Sequence, residues 1–231
     1  SGEFINEGGA KNIARRDGMG TTVLSAATKI GGIPDFYFQA VGSGTGAIAA
    51  YEANLRLIES GCGSKKMRLM LSQNIPFIPM VNAWKRRSRA IDPADIEDAA
   101  GKIERIVAKV LSNRQPPYGV KGGLFDALSD TEGDMVGVEN SQAAEAQTLF
   151  LETEGRDICP EAGVALASLI MKVKDGTVGR NDTVMLNITG GGMEALRHER
   201  ETTAVRPHLT VDKKIGTEEL QKQVLALFDE I

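Results

Sequence analysis

Cysteine is nearly absent: the 231 residues hold two, Cys62 and Cys159, far apart and outside any CxxC spacing. A disulfide framework and a zinc ribbon are thereby excluded, and two free thiols suit a reducing cytoplasm. Histidine is equally scarce. His198 and His208 stand alone, without metal-ligand or nucleophile partners, so no metal site and no Ser–His pair is expected. No apolar run approaches the roughly 20 residues of a membrane span, and Ser1-Gly2-Glu3-Phe4 lacks the regions of a signal peptide. The chain therefore reads as soluble, with no membrane partner. Positive charge is not in excess either: 27 Lys+Arg face 31 Asp+Glu, a formal net charge of −4. The whole-molecule field favours neither nucleic acid nor an anionic surface, so any anion site must be local. No internal repeat or low-complexity linker is present; the loop-like stretch Asn113 to Gly123 reads as internal to a domain. With 42% hydrophobic and 25% charged residues, composition is that of an ordinary globular chain long enough to bury a core without staples.

What is present alternates. Short apolar runs rich in β-branched and aromatic residues are followed by longer helical patterns, the signature of an open, mostly parallel α/β sheet with helices on both faces. Strands are expected at Phe36 to Val41, Met67 to Leu71, Met135 to Val138 and Thr183 to Ile188. Helices are expected at Ala47 to Glu59, over a segment carrying Lys85, Arg86, Arg87 and Arg89, at Gln142 to Glu154 capped by Asn140 or Ser141, and from Pro160 to about Val173. The four cations read as a solvated helix end. Thr217 opens a last helix whose Leu220, Val224, Leu227, Phe228 and Ile231 form an apolar stripe.

Two glycine-rich turns follow strands. Gly42-Ser43-Gly44-Thr45-Gly46 lets backbone N–H groups converge on an anion at a helix N-terminus, with two hydroxyls as further donors; phosphate is the natural guest. The same glycines also serve a plain tight turn. Gly42, Gly44 and Ala47 satisfy the dinucleotide-binding spacing, yet the acidic residue that spacing requires about 20 positions on is replaced by Ser72, Gln73 and Asn74. The second turn, Thr189-Gly190-Gly191-Gly192, offers one hydroxyl beside a backbone that a flat ring can approach. In an open α/β sheet both turns can face one crevice beyond the strand ends. Arg15 and Arg16 are candidate oxyanion ligands, or a solvated pair at a helix start. Cys159 reads as a buried, inert thiol, and Glu161 as a first-turn acid.

These residues resemble the fold-type II pyridoxal-phosphate enzymes, the family of threonine synthase, cysteine synthase and the tryptophan synthase β chain. The resemblance rests on Glu7-Gly8-Gly9-Ala10-Lys11-Asn12, Arg15-Arg16-Asp17-Gly18-Met19-Gly20-Thr21-Thr22, Gln39 through Gly46, Leu71 through Phe77, Pro160 through Ala165 and Leu186 through Gly192. Within the family the runs are most similar to the cysteate synthase branch, which makes cysteate from O-phospho-L-serine and sulfite for coenzyme M in methanogens. Threonine synthases usually carry an asparagine where this loop has Ser43 and Thr45. The resemblance implies that pyridoxal 5'-phosphate is the cofactor, that Gly42, Ser43, Gly44, Thr45 and Gly46 take its phosphate, that Thr189 faces its ring nitrogen, and that Arg15 and Arg16 meet the substrate.

One departure matters. Family members carry the Schiff-base lysine in a part that would precede this sequence; Lys65 and Lys66 look like a solvated turn, and Lys121 follows the phosphate loop instead of preceding it. No catalytic residue is therefore assigned. The chain is expected to be a fragment: residues 1–6 the end of a small domain or a cloning scar, residues 7–231 the carboxyl-terminal part of the large catalytic domain, with the missing part of the same enzyme as its partner. A homo-oligomer is compatible with this reading. Threonine synthase and a non-catalytic phosphate- or nucleotide-binding module are the alternatives.

Overall fold

A computed structural model describes residues 7–212 and 214–229. Two compact units are distinguished, the first ending at Met193 and the second running from Glu194. The assignment of residues 1–6 to a preceding domain lies outside the described residues.

The first unit runs α1 (Ile13–Ile30), β1 (Phe36–Ala40), α2 (Thr45–Glu59), β2 (Arg68–Asn74), α3 (Pro79–Lys85), α4 (Ala99–Arg105), α5 (Leu124–Asp130), β3 (Asp134–Val138), α6 (Asn140–Glu154), α7 (Pro160–Lys174) and β4 (Val184–Leu186), with α8 (Met193–Glu199) beginning at its end. All three strand pairings are parallel, in the order β3-β2-β1-β4. Phe38 is aligned with Met70 on one side and Leu186 on the other.

Alternate residues of each strand serve opposite faces, as the pleat requires. Tyr37, Leu69, Leu71 and Met135 pack with Val23 of α1, Ile48 and Ala50 of α2, and Leu124 and Leu128 of α5. Phe38 and Met70 turn the other way with Val178, and Ala40 and Val138 pack with Val164 of α7 and Ala143 of α6. Full burial of each such large apolar side chain contributes about 1.5–3 kcal/mol. Helices α1 and α2 approach through small residues: a Cβ on Gly20 would stand 3.2 Å from that of Ala53.

The second strand runs three residues past its expected end at Leu71. Polar residues close a strand only when their groups need water, and here they do not. Gln73 Oε1 accepts from the N–H groups of Met80 and Val81, and Asn74 Oδ1 accepts from those of Val107 and Ala108. The cap of α6 also differs from expectation: Glu139 precedes the helix and its N–H donates to Gln142 Oε1 at 2.9 Å. Asn140 instead turns inward, donating to the Arg105 carbonyl and accepting from Asn74. The basic cluster after α3 is not simply solvated. Arg86 pairs with Asp95, Arg89 with Asp126, and the Arg87 guanidinium lies 4.7 Å over the Trp84 ring.

In the second unit α9 (Thr217–Asp229) carries the expected stripe, with Leu220, Val224 and Leu227 half-buried and Phe228 exposed; Ile231 lies outside the described residues. Among the described residues no helix is long and apolar enough to cross a membrane.

Candidate functional site

The strand order reverses between β1 and β4. The chain leaves β1 through α2 towards β2 and then β3, and returns through α6 and α7 to β4 on the far side of β1. A crevice at such a switch point, beyond the carboxyl ends of the strands, is where open α/β sheets bind ligands. Both glycine turns stand there, the first leaving β1 and the second following β4.

Gly44 forms the N-cap of α2 in the left-handed region, at φ 81°. Its neighbour Ser43 bends back so that its hydroxyl accepts the Thr45 N–H at 3.2 Å and lies 2.9 Å from the Thr45 hydroxyl. This bond explains why α2 starts two residues before the expected Ala47. The N–H groups of Gly46 and Ala47, in the first turn, have no intrahelical acceptor. Behind the turn each glycine is closely packed. A Cβ on Gly42 would lie 2.8 Å from the Val110 carbonyl oxygen, one on Gly44 would lie 2.8 Å from Leu124 Cδ2, and one on Gly46 would lie 2.7 Å from Gln39 Nε2.

An open cavity of about 540 Å³ adjoins the loop. Ser43 and Thr45 form one wall, Gly8 to Lys11 with Arg15 a second, and Asn113, Gln115 and Pro116 a third. Upstream of the third wall, the Asn74 and Asn140 side chains fix the backbone at Arg105 to Ala108. Arg15 pairs with Glu7 at 2.8 Å, and this contact, followed by the Gly9 N–H, holds the Glu7 carboxyl below its ordinary range. Arg16 does not line the cavity. Half-buried, it ties α1 to α2 through Glu52 at 2.8 Å and to the Ala10 carbonyl.

Thr189 is exposed at the end of the β4 segment, one strand over from the cavity. Its turn is fastened to the start of α7: Cys159 N–H donates to the Gly190 carbonyl at 3.0 Å, and Gly192 N–H to the Asp157 carbonyl at 2.8 Å. A Cβ on Gly191 would meet that same carbonyl at 2.4 Å, so glycine is required by backbone approach. Cys159, at the N-cap of α7, is half-buried, and burial raises its thiol pKa despite contacts from the Ala162 N–H and the Thr189 hydroxyl.

A cleft of similar size, about 530 Å³, opens near the opposite ends of the strands. Lys65 pairs there with Asp35, and Lys66 with Asp130 at 2.7 Å. Neither lysine is near the glycine turns.

The comparisons with known proteins fall on the same side. A family model described as pyridoxal-phosphate dependent enzyme matches residues 2–190. The chain belongs to this pyridoxal-phosphate-dependent enzyme family. Cysteate synthases are similar to it: that of Methanosarcina acetivorans is 51% identical over 221 residues, 94% of this chain and 53% of the relative. That of Methanoregula boonei is 53% identical over 211 residues, 90% of this chain and 50% of the relative. The chain thus spans about half the length of the curated relatives it matches. Among solved structures, a T.th. threonine deaminase superposes with a TM-score of 0.52 at 15% identity, over 82% of this chain and 58% of that one. A serine racemase from Dictyostelium discoideum gives 0.54 at 15% identity, over 76% and 49%. The fold is that of the fold-type II members of the family.

Two features of this region are not evident from the sequence. Lys11 lines the cavity, although its place between a glycine pair and the arginines was a signal. The Asn187 amide donates to the Tyr37 hydroxyl at 2.8 Å, and that hydroxyl donates to Gln39 Oε1 at 3.0 Å. The sequence hint was a glutamine inside an apolar strand.

Proposed function

We propose that the full-length protein carrying this segment converts O-phospho-L-serine and sulfite to L-cysteate and phosphate with pyridoxal 5'-phosphate as cofactor. The observation that carries the reading is identity of about half to cysteate synthases over at least nine-tenths of the chain. In this β-replacement the bond from the β carbon to the phosphate oxygen breaks and a bond from the β carbon to sulfur forms.

The residues fit the cofactor. The loop offers what a phosphate needs: first-turn N–H groups of α2 without intrahelical partners, the Ser43 and Thr45 hydroxyls, and a turn held free of Cβ atoms. When bound, pyridoxal phosphate supplies an electron sink for charge developing at the substrate's α carbon. Thr189 would offer the ring nitrogen a neutral hydroxyl, which would stabilise a proton there less than a carboxylate would. That suits a reaction in which phosphate is a good leaving group. Arg15 and Lys11, on the cavity wall facing Ser43 and Thr45, place positive charge where a phosphorylated or sulfonated substrate is to be oriented. Arg16 contributes by fixing α1 on α2 through Glu52, which sets the position of Arg15.

Residues 7–231 belong, in this proposal, to the large catalytic domain, and the cofactor-anchoring lysine to the remaining half of a cytoplasmic enzyme. Purified full-length protein is assayed with phosphoserine plus sulfite and with phosphohomoserine alone. Sulfite-dependent cysteate formation supports the proposal. Sulfite-independent threonine formation from phosphohomoserine replaces it with threonine synthase, and cofactor binding without turnover of either substrate replaces it with a binding module.

A further inference from the structure

Between the two glycine turns runs a one-way line of hydrogen bonds. The Tyr37 side chain is 1% exposed, and burial pushes its pKa far above the ordinary phenol range, so the hydroxyl keeps its proton at any working pH. A phenol has one hydrogen to give. Tyr37 accepts from Asn187 Nδ2 and therefore spends that hydrogen on Gln39 Oε1. With its carbonyl so occupied, the Gln39 amide must turn its NH2 group away from Tyr37. The amide packs flat against Gly46, with Nε2 2.7 Å and Oε1 3.0 Å from where a Cβ would be. Gly46 is the second residue of α2, and its N–H, like that of Ala47 and unlike that of Thr45, which Ser43 accepts, has neither an intrahelical acceptor nor a capping hydroxyl. At the other end, Asn187 lies two residues before Thr189, and its own N–H is fixed in the sheet by the Phe38 carbonyl at 2.9 Å.

We propose that Gln39, oriented by Tyr37 and Asn187, is a positioning residue that sets the Gly46 end of the phosphate loop and ties its placement to the strand exit carrying Thr189. The proposal rests on the reading of Gly42 to Gly46 as the cofactor's phosphate cradle. Gln39 acts through geometry: its neutral amide fills the space behind Gly46 and so fixes where the first-turn N–H stands. A carboxylate at position 39 would present negative charge there instead.

The test uses full-length protein and pyridoxal phosphate itself, read by the dissociation constant and by the phosphorus-31 resonance of the bound cofactor. Tyr37→Phe keeps the ring and removes the relay; it is expected to weaken cofactor binding about 2- to 10-fold, what loss of one buried hydrogen bond is worth, and to shift the phosphorus signal. Gln39→Glu is expected to weaken binding more than Gln39→Leu, with an affinity that falls as pH rises through the carboxylate's titration. Should Tyr37→Phe fail to fold, the half-buried position 39 decides alone. Ser43→Ala separates the two levels of the argument. If Ser43→Ala weakens binding while both Tyr37→Phe and Gln39→Glu keep the parent constant and resonance, the relay is only a packing feature and the proposal is wrong. If Ser43→Ala is also without effect on either readout, the loop is not the cradle, and the proposal falls with the reading beneath it.

Discussion

Gly44 is held by two constraints that can be measured apart. Its φ of 81° lies in the left-handed region, where a residue with a Cβ is penalised by about 1–2 kcal/mol. The Cβ of Gly44→Ala would also come within 2.8 Å of Cδ2 of Leu124, a leucine with no exposed surface. Displacing a side chain from a packed core costs about 1–3 kcal/mol. Together the substitution is expected to destabilise the domain by about 2–5 kcal/mol, which for a domain of this size lowers the melting temperature by several degrees to about 20 °C. The assay is a double-mutant cycle in thermal or urea unfolding. In a Leu124→Ala background the steric part disappears and Gly44→Ala should cost only the backbone penalty, leaving a coupling of about 1–3 kcal/mol between the two positions. Additive effects would refute the steric argument. A stable Gly44→Ala variant that loses only cofactor would show that the glycine answers to the ligand alone. The same geometry makes Gly44→Asp a poor probe of phosphate binding, since it perturbs fold and charge at once.

Three other outcomes follow from the site. Thr189→Val in the full-length protein keeps the shape but removes the hydroxyl, and turnover should slow by about 2- to 10-fold, one hydrogen bond's worth; an unchanged rate and an unchanged cofactor absorption spectrum would make Thr189 a bend residue. The 231-residue chain treated with pyridoxal phosphate and borohydride should show no stoichiometric label at one lysine, and mapping such a label to Lys11, on the cavity wall, would overturn the absence of an anchoring lysine here. Glu7 is held below its ordinary range by Arg15, so their tie is present at neutral pH and lost as pH falls through the lowered value. Glu7→Gln breaks it at neutral pH, freeing Arg15 for an oxyanion and lowering KM for phosphoserine; an unchanged KM means that Arg15 does not meet the substrate.

Much of this arrangement is local in sequence and was legible there. The strand at Phe36 to Val41, its glycine exit and the helix after it are recorded in adjacent residues, and the structure moves their limits by one or two positions. What was illegible depends on partners far along the chain. Ser72, Gln73 and Asn74 look like a loop until the N–H groups of residues 80, 81, 107 and 108 are brought to them. Asn140 looks like a helix cap until Asn74, 66 positions earlier, claims its carbonyl oxygen. Helix α1 was hidden for another reason: its buried stripe is Gly20, Val23 and Ala27, helical in spacing but too small in its side chains to stand out. The cavity shows the same division. Ser43 and Thr45 were readable from their glycines, but Lys11 became part of the site only when its segment folded against a loop about a hundred residues away.

In sequence the glycine loop fits either a tight turn or a phosphate cradle, and its packing removes the opposition between the two. Val110 closes on Gly42, Leu124 on Gly44 and Gln39 on Gly46, so each missing Cβ is used from behind. A loop gripped in this way has little freedom left to lose when an anion arrives. Its N–H groups then cost less entropy to organise than those of a mobile glycine loop, and preorganisation of that kind is what raises affinity at a fixed number of contacts. Tight packing behind the loop is therefore part of how it would bind. Shortening Leu124, whose side chain closes on Gly44 and which lines no part of the cavity, should weaken cofactor binding by loosening the loop even where the fold survives.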